Sequence, residues 1–331
     1  MATNNIKSVV GKVFNDIADA LETGQFGERV RVGVTTLGSE LGIDNVIKGA
    51  ELVAARDSSI EVVLIGPRVD SSLTQVAVEN EEDGYKKMEE LLDNGYIGAC
   101  VTMHYSFPIG VSTVGRVITP GQGKEMFIAT TTGTSSPHRV EAMIKNGVYG
   151  IITAKTMGIK NPSVGILNVD GARQVERALK ELSSKYPINF TESARADGGA
   201  IMRGNDLLMG TPDVMITDTL TGNILMKVFS SYTTGGSFES LGYGYGPGIG
   251  EDYNRNILII SRASGSPVIA NAISYGAALI KGNLKEISKT EFEKVNHAGF
   301  KDILKGLTKE NKKEETTDAV EAPSKEVVTG T

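Results

Sequence analysis

An α/β protein with a mainly parallel sheet and helices on both of its faces is what the sequence predicts. Two patterns and a composition carry the prediction. Wholly apolar runs such as VVLI (62–65) and ILII (257–260) recur between segments of helical period. Strands buried on both faces read as such runs, and strand–helix alternation lays helices over the sheet. Several of these runs end in small polar residues that open a helix. A hydrophobic content of 40% and 39 glycines in 331 residues suit a substantial core with many tight turns, in one large domain or two modest ones.

Residues 6–23 place Ile6, Val9, Val10, Val13, Phe14, Ile17, Ala20 and Leu21 on one helical face, and Gly24 and Gly27 stop the helix. Residues 1–27 thus form an arm whose apolar face requires a partner, in its own domain or in a neighbouring subunit. RVRVGVTTL (29–37) is the first strand, IDNVIKGAELVAAR (43–56) a helix and IEVVLIG (60–66) the second strand. GYKKMEELLDNG (84–95) is a helix and IGACVT (97–102) a third strand, followed by the polar start of a helix near Ser106–Arg116. Further strands are expected at EMFIATTT (125–132), SVGILNV (163–169), NFTES (189–193), DVMIT (213–217) and RNILIIS (255–261). Helices alternate with them at HRVEAMIKNGVYGIITAKTMG (138–158), GARQVERALKELSSKY (171–186), NILMKVFSSY (223–232) and PVIANAISYGAALIKG (267–282). From Gly306 dense charge replaces core-forming residues, so 306–331 reads as a linker or a disordered tail. Its last residues, VVTGT, turn apolar again, which suits either a linker cut before a further segment or an ordinary frayed C-terminus.

A net charge of −6 argues against nucleic acid, whose binding surfaces are rich in unpaired Lys and Arg. Cys100 is the single cysteine, so no intrachain disulfide framework exists and a reducing compartment is the natural home. The N-terminus lacks an apolar core of signal-peptide length, and no segment approaches the ~18 apolar residues of a membrane span. A cytoplasmic protein without membrane contact is expected.

In parallel α/β sheets ligands sit beyond the carboxyl ends of strands, where helix N-termini direct free N–H groups at them. Three junctions have the chemistry to hold an anion there. In TDTLTGNILMK (217–227), Asp218, Thr219, Thr221, Gly222 and Asn223 gather at the junction, and Lys227 lies one turn further along the helix. Glycine permits close backbone approach and Thr and Asn donate hydrogen bonds, yet Asp, Thr and Asn are also preferred helix caps, so both roles stand. In ILIISRASGSPVIANAI (257–273), Ser261, Arg262, Ser264 and Ser266 follow an apolar strand, and a guanidinium fork suits a phosphate-like group as well as a surface carboxylate. In ATTTGTSSPHRVEAMI (129–144), Thr132 and Ser135 belong to a hydroxyl-rich stretch that either lines the same cleft or forms a long polar turn. Between the first two, GYGYGPGIG (242–250) lacks the spacing of a dinucleotide fingerprint or a P-loop. It reads as a mobile flap whose Tyr243 and Tyr245 can cover a ligand, or as an inert surface loop.

Other chemistries find little support. His104, His138 and His297 are scattered without metal-ligand spacing, and His104 reads as structural although it follows a strand. Cys100 lies in a run that reads as a buried strand, which favours packing over nucleophilic work. No GxSxG elbow occurs, and no acidic cluster is spaced to hold a divalent metal. No cofactor is implied.

These motifs together resemble a known superfamily. TDTLTGNILMK resembles the D-x-x-x-G-N-x-x-x-K segment shared by phosphotransacetylases and the phosphate acyltransferase of phospholipid synthesis. NPSVGILNV (161–169) is similar to a strand of the latter, and ISRASGSPVIANAI (260–273) to the Ser-Arg segment of the former. The likeness runs in order through residues 29–285. VTMHYSFPIGVSTVGRVITPGQG (101–123) and GSFESLGYGYGPGIGEDYNRN (236–256) resemble the component C α subunits of glycine, sarcosine and betaine reductases. Two departures are visible. The acyl-carrying cysteine that this family places in a C-terminal segment is not in these residues, and Ala263-Ser264 stands where phosphotransacetylases continue Cys-Ser.

The resemblance implies a two-lobed fold like that of isocitrate and isopropylmalate dehydrogenases. One lobe would take 28–150 with 264–305 and the other 151–263, with a cleft between them. It implies that an acetyl unit carried on carboxymethylated selenoprotein A becomes a thioester and leaves with phosphate as acetyl phosphate. The β subunit of component C, and a homodimer or larger complex, are the implied partners. Asn223 and backbone N–H groups near Thr221 and Gly222 would stabilise the oxyanion, with Lys227 adding positive potential. Arg262, Ser261, Ser264, Ser266, Thr132 and Ser135 would hold phosphate, and Asp218 would orient Asn223 or Arg262. The alternatives are a stand-alone acyltransferase using acyl-carrier or coenzyme A thioesters, and a docking subunit without chemistry of its own.

Overall fold

The computed structural model describes residues 29–195 and 199–307, with helical positions 11, 13–15, 17, 18 and 20–22. The rest of the expected arm, and the expected tail from 308 on, lie outside the described residues.

The chain enters the core at β1 (Val30–Thr35), whose last four residues are buried. Helix α1 (Ile43–Arg56) returns along the sheet, and β2 (Ile60–Gly66) pairs parallel with β1 from Val30↔Ile60 to Thr35↔Ile65. The short edge strand β3 (Thr74–Ala77) follows, then α2 (Glu81–Asp93), whose N-cap Asn80 accepts the N–H of Asp83. β4 (Ala99–Thr102) lies on the other side of β1. β5 (Val111–Ile118) and β6 (Glu125–Thr134) form an antiparallel pair. Next come α3 (Arg139–Thr156), β7 (Ser163–Leu167), α4 (Ala172–Ser183), β8 (Asn189–Phe190), β9 (Ile201–Met202), α5 (Gly204–Met209), β10 (Val214–Ile216) and α6 (Thr219–Ser231). The described chain closes with β11 (Gly246–Ile249), β12 (Ile257–Ile259), α7 (Ser266–Lys281) and α8 (Leu284–His297), after which residues 300–307 are helical.

Among the described residues twelve strands make one sheet in the order β3-β2-β1-β4-β12-β11-β5-β6-β10-β7-β8, with β9 also beside β7. The pairings are parallel except for β5–β6, β11–β5 and β11–β12. Helices α1 and α7 lie side by side at close range because a glycine faces their contact. A Cβ on Gly49 of α1 would come within 2.7 Å of Ile269 of α7. Ile269, Ile273 and Leu279 of α7 are fully buried, and each such side chain contributes about 1.5–3 kcal/mol of transfer free energy.

Two expectations change. The stretch read as a helix start near Ser106–Arg116 contains most of strand β5. Its polar look misleads, because Ser112 donates to Asn146 Oδ1 and Thr113 pairs with the Thr131 hydroxyl, so both are buried at no hydrogen-bond cost. GYGYGPGIG is neither a flap nor a surface loop. Tyr245 is only 3% exposed, and β11 is the strand through which the two halves of the sheet meet. β5 and β6 fall in the half with β10 and β7, whereas β12 lies beside β4 in the half built on β1.

Candidate functional site

Beyond the carboxyl ends of β4 and β12, where the halves of the sheet meet, lies an open cavity of about 340 Å³. One wall comes from the β10–α6 unit. Asp218 is the N-cap of α6 and accepts the N–H of Thr221 at 3.1 Å and its hydroxyl at 2.7 Å. A Cβ on Gly222 would stand 1.8 Å from the Thr130 carbonyl, so only glycine lets the first turn of α6 lie against β6. Pressed there, Asn223 donates from Nδ2 to the Thr131 carbonyl at 3.0 Å. One amide hydrogen is thereby fixed and the second remains for the cavity that Asn223 lines. Lys227, four residues on, shares this helix face and also lines the cavity. Its Nζ stands 5.5 Å from the ring centroid of Tyr245. Among the described residues no carboxylate lies within ion-pair distance of Lys227. The outer row of α6, Leu220, Ile224 and Val228, is exposed.

The facing wall comes from the loop after β12. Ser261 and Arg262 line the cavity. Arg262 is half-exposed, its Nη2 3.6 Å from Glu81 Oε2, and its carbonyl accepts the N–H of Glu40 at 2.9 Å. Asn45 of α1 clamps this loop, donating to the Ser264 carbonyl at 3.0 Å and accepting the Ser266 N–H at 2.9 Å. Thr132 at the end of β6, His104 and Tyr105 after β4, and Glu40 complete the rim. The result is two cations from separate β–α units among hydroxyls, an amide and one acidic group, an arrangement suited to a dianionic, oxygen-rich ligand.

The predicted residues therefore divide. Asn223, Lys227, Ser261, Arg262 and Thr132 meet on one cavity. Asp218 and Thr221 form the cap, and Gly222 sets the approach of α6 to β6. The Asp218 carboxylate faces Arg139 at 3.3 Å rather than Asn223 or Arg262. Ser264 is buried, donating to Glu239 Oε2 at 3.0 Å, and Ser135 is buried, donating to Asn146 Oδ1 at 2.7 Å. Ser266 opens α7 and is anchored through its N–H. None of these six lines the cavity, because capping and packing already engage them. Sequence reasoning missed Glu40, whose one signal is its place beyond the end of β1, and Glu239, which no local pattern marks. His104, read as structural, lies on the rim. Cys100 is fully buried in β4, where burial pushes its thiol far above the usual range.

Fold and cavity together describe an α/β protein with a cavity beyond its strand ends that Lys227 and Arg262 line. The chain belongs to the fatty acid synthesis protein family, whose model matches residues 30–331. It is 66% identical, over 99% of its own length and 86% of the relative, to the glycine/sarcosine/betaine reductase complex component C subunit alpha of Peptoclostridium acidaminophilum. A phosphate acyltransferase of Thermotoga petrophila is 24% identical over 60% of this chain and 67% of that protein. The resemblance that the motifs carry therefore holds. Among solved structures, a branched-chain phosphotransacylase from Enterococcus faecalis V583 matches with a TM-score of 0.51 at 15% identity, covering 76% of this chain and 99% of that one. That likeness concerns the fold. Among the described residues no helix is long and apolar enough to cross a membrane.

Proposed function

We propose that this chain binds phosphate and an acetyl thioester in the cavity between α6 and the β12–α7 loop and releases acetyl phosphate. It would do so as the α subunit of a glycine, sarcosine or betaine reductase component C. The observation that carries this reading is the meeting of Asn223 and Lys227 with Ser261 and Arg262 on one cavity. The 66% identical component C subunit supports the setting. A phosphate oxygen attacks the thioester carbonyl carbon, the C–S bond breaks, and the thiolate leaves as the acyl–phosphate bond is completed. Arg262 and Lys227 hold phosphate against its own negative charge, with Ser261 and Thr132 donating to its oxygens. Asn223 directs its second amide hydrogen at the oxyanion of the tetrahedral intermediate.

Cys100, the single cysteine, is fully buried, and in this reading the acyl-carrying sulfur is supplied from outside these 331 residues. Carboxymethylated selenoprotein A as acetyl source, the β subunit of component C and a homodimer or larger complex in the cytoplasm belong to the same proposal. So does a two-lobed architecture of the isocitrate dehydrogenase kind. Acetyl phosphate formation by the assembled complex, trapped as the hydroxamate, is the test. Arg262→Ala is expected to lower the rate by about 10²–10³ while the fold survives; undiminished turnover in that variant overturns the assignment. Activity of the chain alone with acetyl coenzyme A would favour the stand-alone acyltransferase. Arsenolysis of acetyl phosphate that survives replacement of Asn223, Lys227 and Arg262 together would favour a docking subunit.

A further inference from the structure

We infer that Glu239 is the positioning residue of this cavity, a buried carboxyl that locks the Tyr245 wall to the loop bearing Arg262. It lies in the FES stretch ahead of β11 and is only 3% exposed. Its backbone is joined to that loop in both directions. The Glu239 N–H donates to the Ala263 carbonyl at 2.9 Å, and its own carbonyl accepts the Gly265 N–H at 2.8 Å, forming a parallel bridge to Ser264. The side chain reaches back between the walls. Oε1 accepts the Tyr245 hydroxyl at 3.1 Å and Oε2 the Ser264 hydroxyl at 3.0 Å. One carboxyl thus engages the residue over which the Lys227 ammonium sits and the loop that presents Ser261 and Arg262.

A buried carboxyl is costly unless its oxygens are satisfied, and here two hydroxyls donate to it. Burial pushes the Glu239 carboxyl up from its usual range, while the Ser264 and Tyr245 hydroxyls and the charge of Lys227 pull the other way. The carboxyl also lies behind the Tyr245 ring that Lys227 faces. Glu239 does not line the cavity, so its effect passes through Tyr245, Ser264 and Lys227. It orients the two cationic walls relative to each other, and a small misplacement of such groups weakens the reacting geometry more than the binding.

The inference rests on the acetyl phosphate reading of the cavity, and its test keeps the two apart. Glu239→Gln preserves shape but replaces one accepting oxygen by an NH₂ group that cannot receive a hydroxyl proton. Tyr245→Phe removes the other side of the same contact and leaves the packing of the ring. In the assembled complex each substitution is expected to lower kcat roughly 10–100-fold with KM for phosphate changed less than about twofold. The double variant should be no slower than the worse single one, because both remove one coupled element. Binding of acetyl phosphate to the isolated chain, followed by calorimetry, should persist in both variants. Full kcat in Glu239→Gln, multiplying losses in the double variant, or a loss confined to KM overturns the role of Glu239 and leaves the function standing. A wild-type chain that neither binds nor forms acetyl phosphate takes both down. If Glu239→Gln fails to fold, by circular dichroism, Tyr245→Phe alone decides through the same split of kcat from KM.

Discussion

Asp218 and Asn223 lie five residues apart at the head of α6, yet they face different demands. Asp218 satisfies a helix N–H that would otherwise lack a partner. Asp218→Ala is therefore expected to cost about 1 kcal/mol of stability in urea unfolding, with a far smaller effect on turnover than Asn223→Ala. The latter should lower kcat by about 10²–10³ and leave the urea midpoint nearly unchanged. The two measurements separate a cap from a ligand group, which TDTLTGNILMK alone could not. Asn223, Lys227, Ser261, Arg262 and Thr132 were legible because a buried strand ending in small polar residues is a local pattern with a known geometry. Ser264 and Ser135 carry the same residue type in the same setting, and only the fold shows that buried acceptors already hold their hydroxyls. Glu239 was invisible for the opposite reason: its partners Tyr245 and Ser264 lie 6 and 25 residues away, and FES alone resembles a solvated turn.

Strands and helices of even, strong period were the easiest to read, as β2, α1 and α7 show. β5 was missed because its hydroxyls look solvent-facing until Asn146 and Thr131 are brought to meet them. β11 was missed because two of its four residues, Gly246 and Gly248, are glycines, which weaken any strand pattern in sequence. The segment around α5 has a similar hidden anchor. Asp206, almost fully buried, accepts the N–H groups of Ala194 and Arg203 and the Ser193 hydroxyl, at 2.9, 2.8 and 2.7 Å. Asp206→Ala leaves these donors without an acceptor, and a loss of roughly 3 kcal/mol in urea unfolding is expected. A change below about 0.5 kcal/mol would show that water replaces the carboxylate freely.

For the molecule as a whole, several carboxylates respond to acid in one direction. Burial alone would raise Asp206, Asp213 and Glu291, but hydrogen bonds outweigh it, with lysine charge adding at the last two, and all three are held below the usual range. Between the folded and unfolded values the unfolded chain binds more protons. The stability these groups supply is therefore complete above about pH 5 and is lost as the pH falls through their folded values. The urea midpoint should drop in that window, and Glu291→Gln, which loosens the tie from α8 to Lys155 of α3, should shrink the drop. Phosphate at 100 times its Kd should raise stability by about 2.7 kcal/mol at neutral pH. Gly246 gives these global quantities an unexpected handle. With φ at +83° and space for a Cβ only 1.8 Å from the Val114 carbonyl, it is where β11 presses hardest on β5. A methyl group there would act as a wedge at the seam, prising Lys227 away from Arg262 though neither had been altered. Gly246→Ala should accordingly abolish phosphate protection before it unfolds the protein, turning one hydrogen-for-methyl exchange into a gauge of how far apart the two charges can drift.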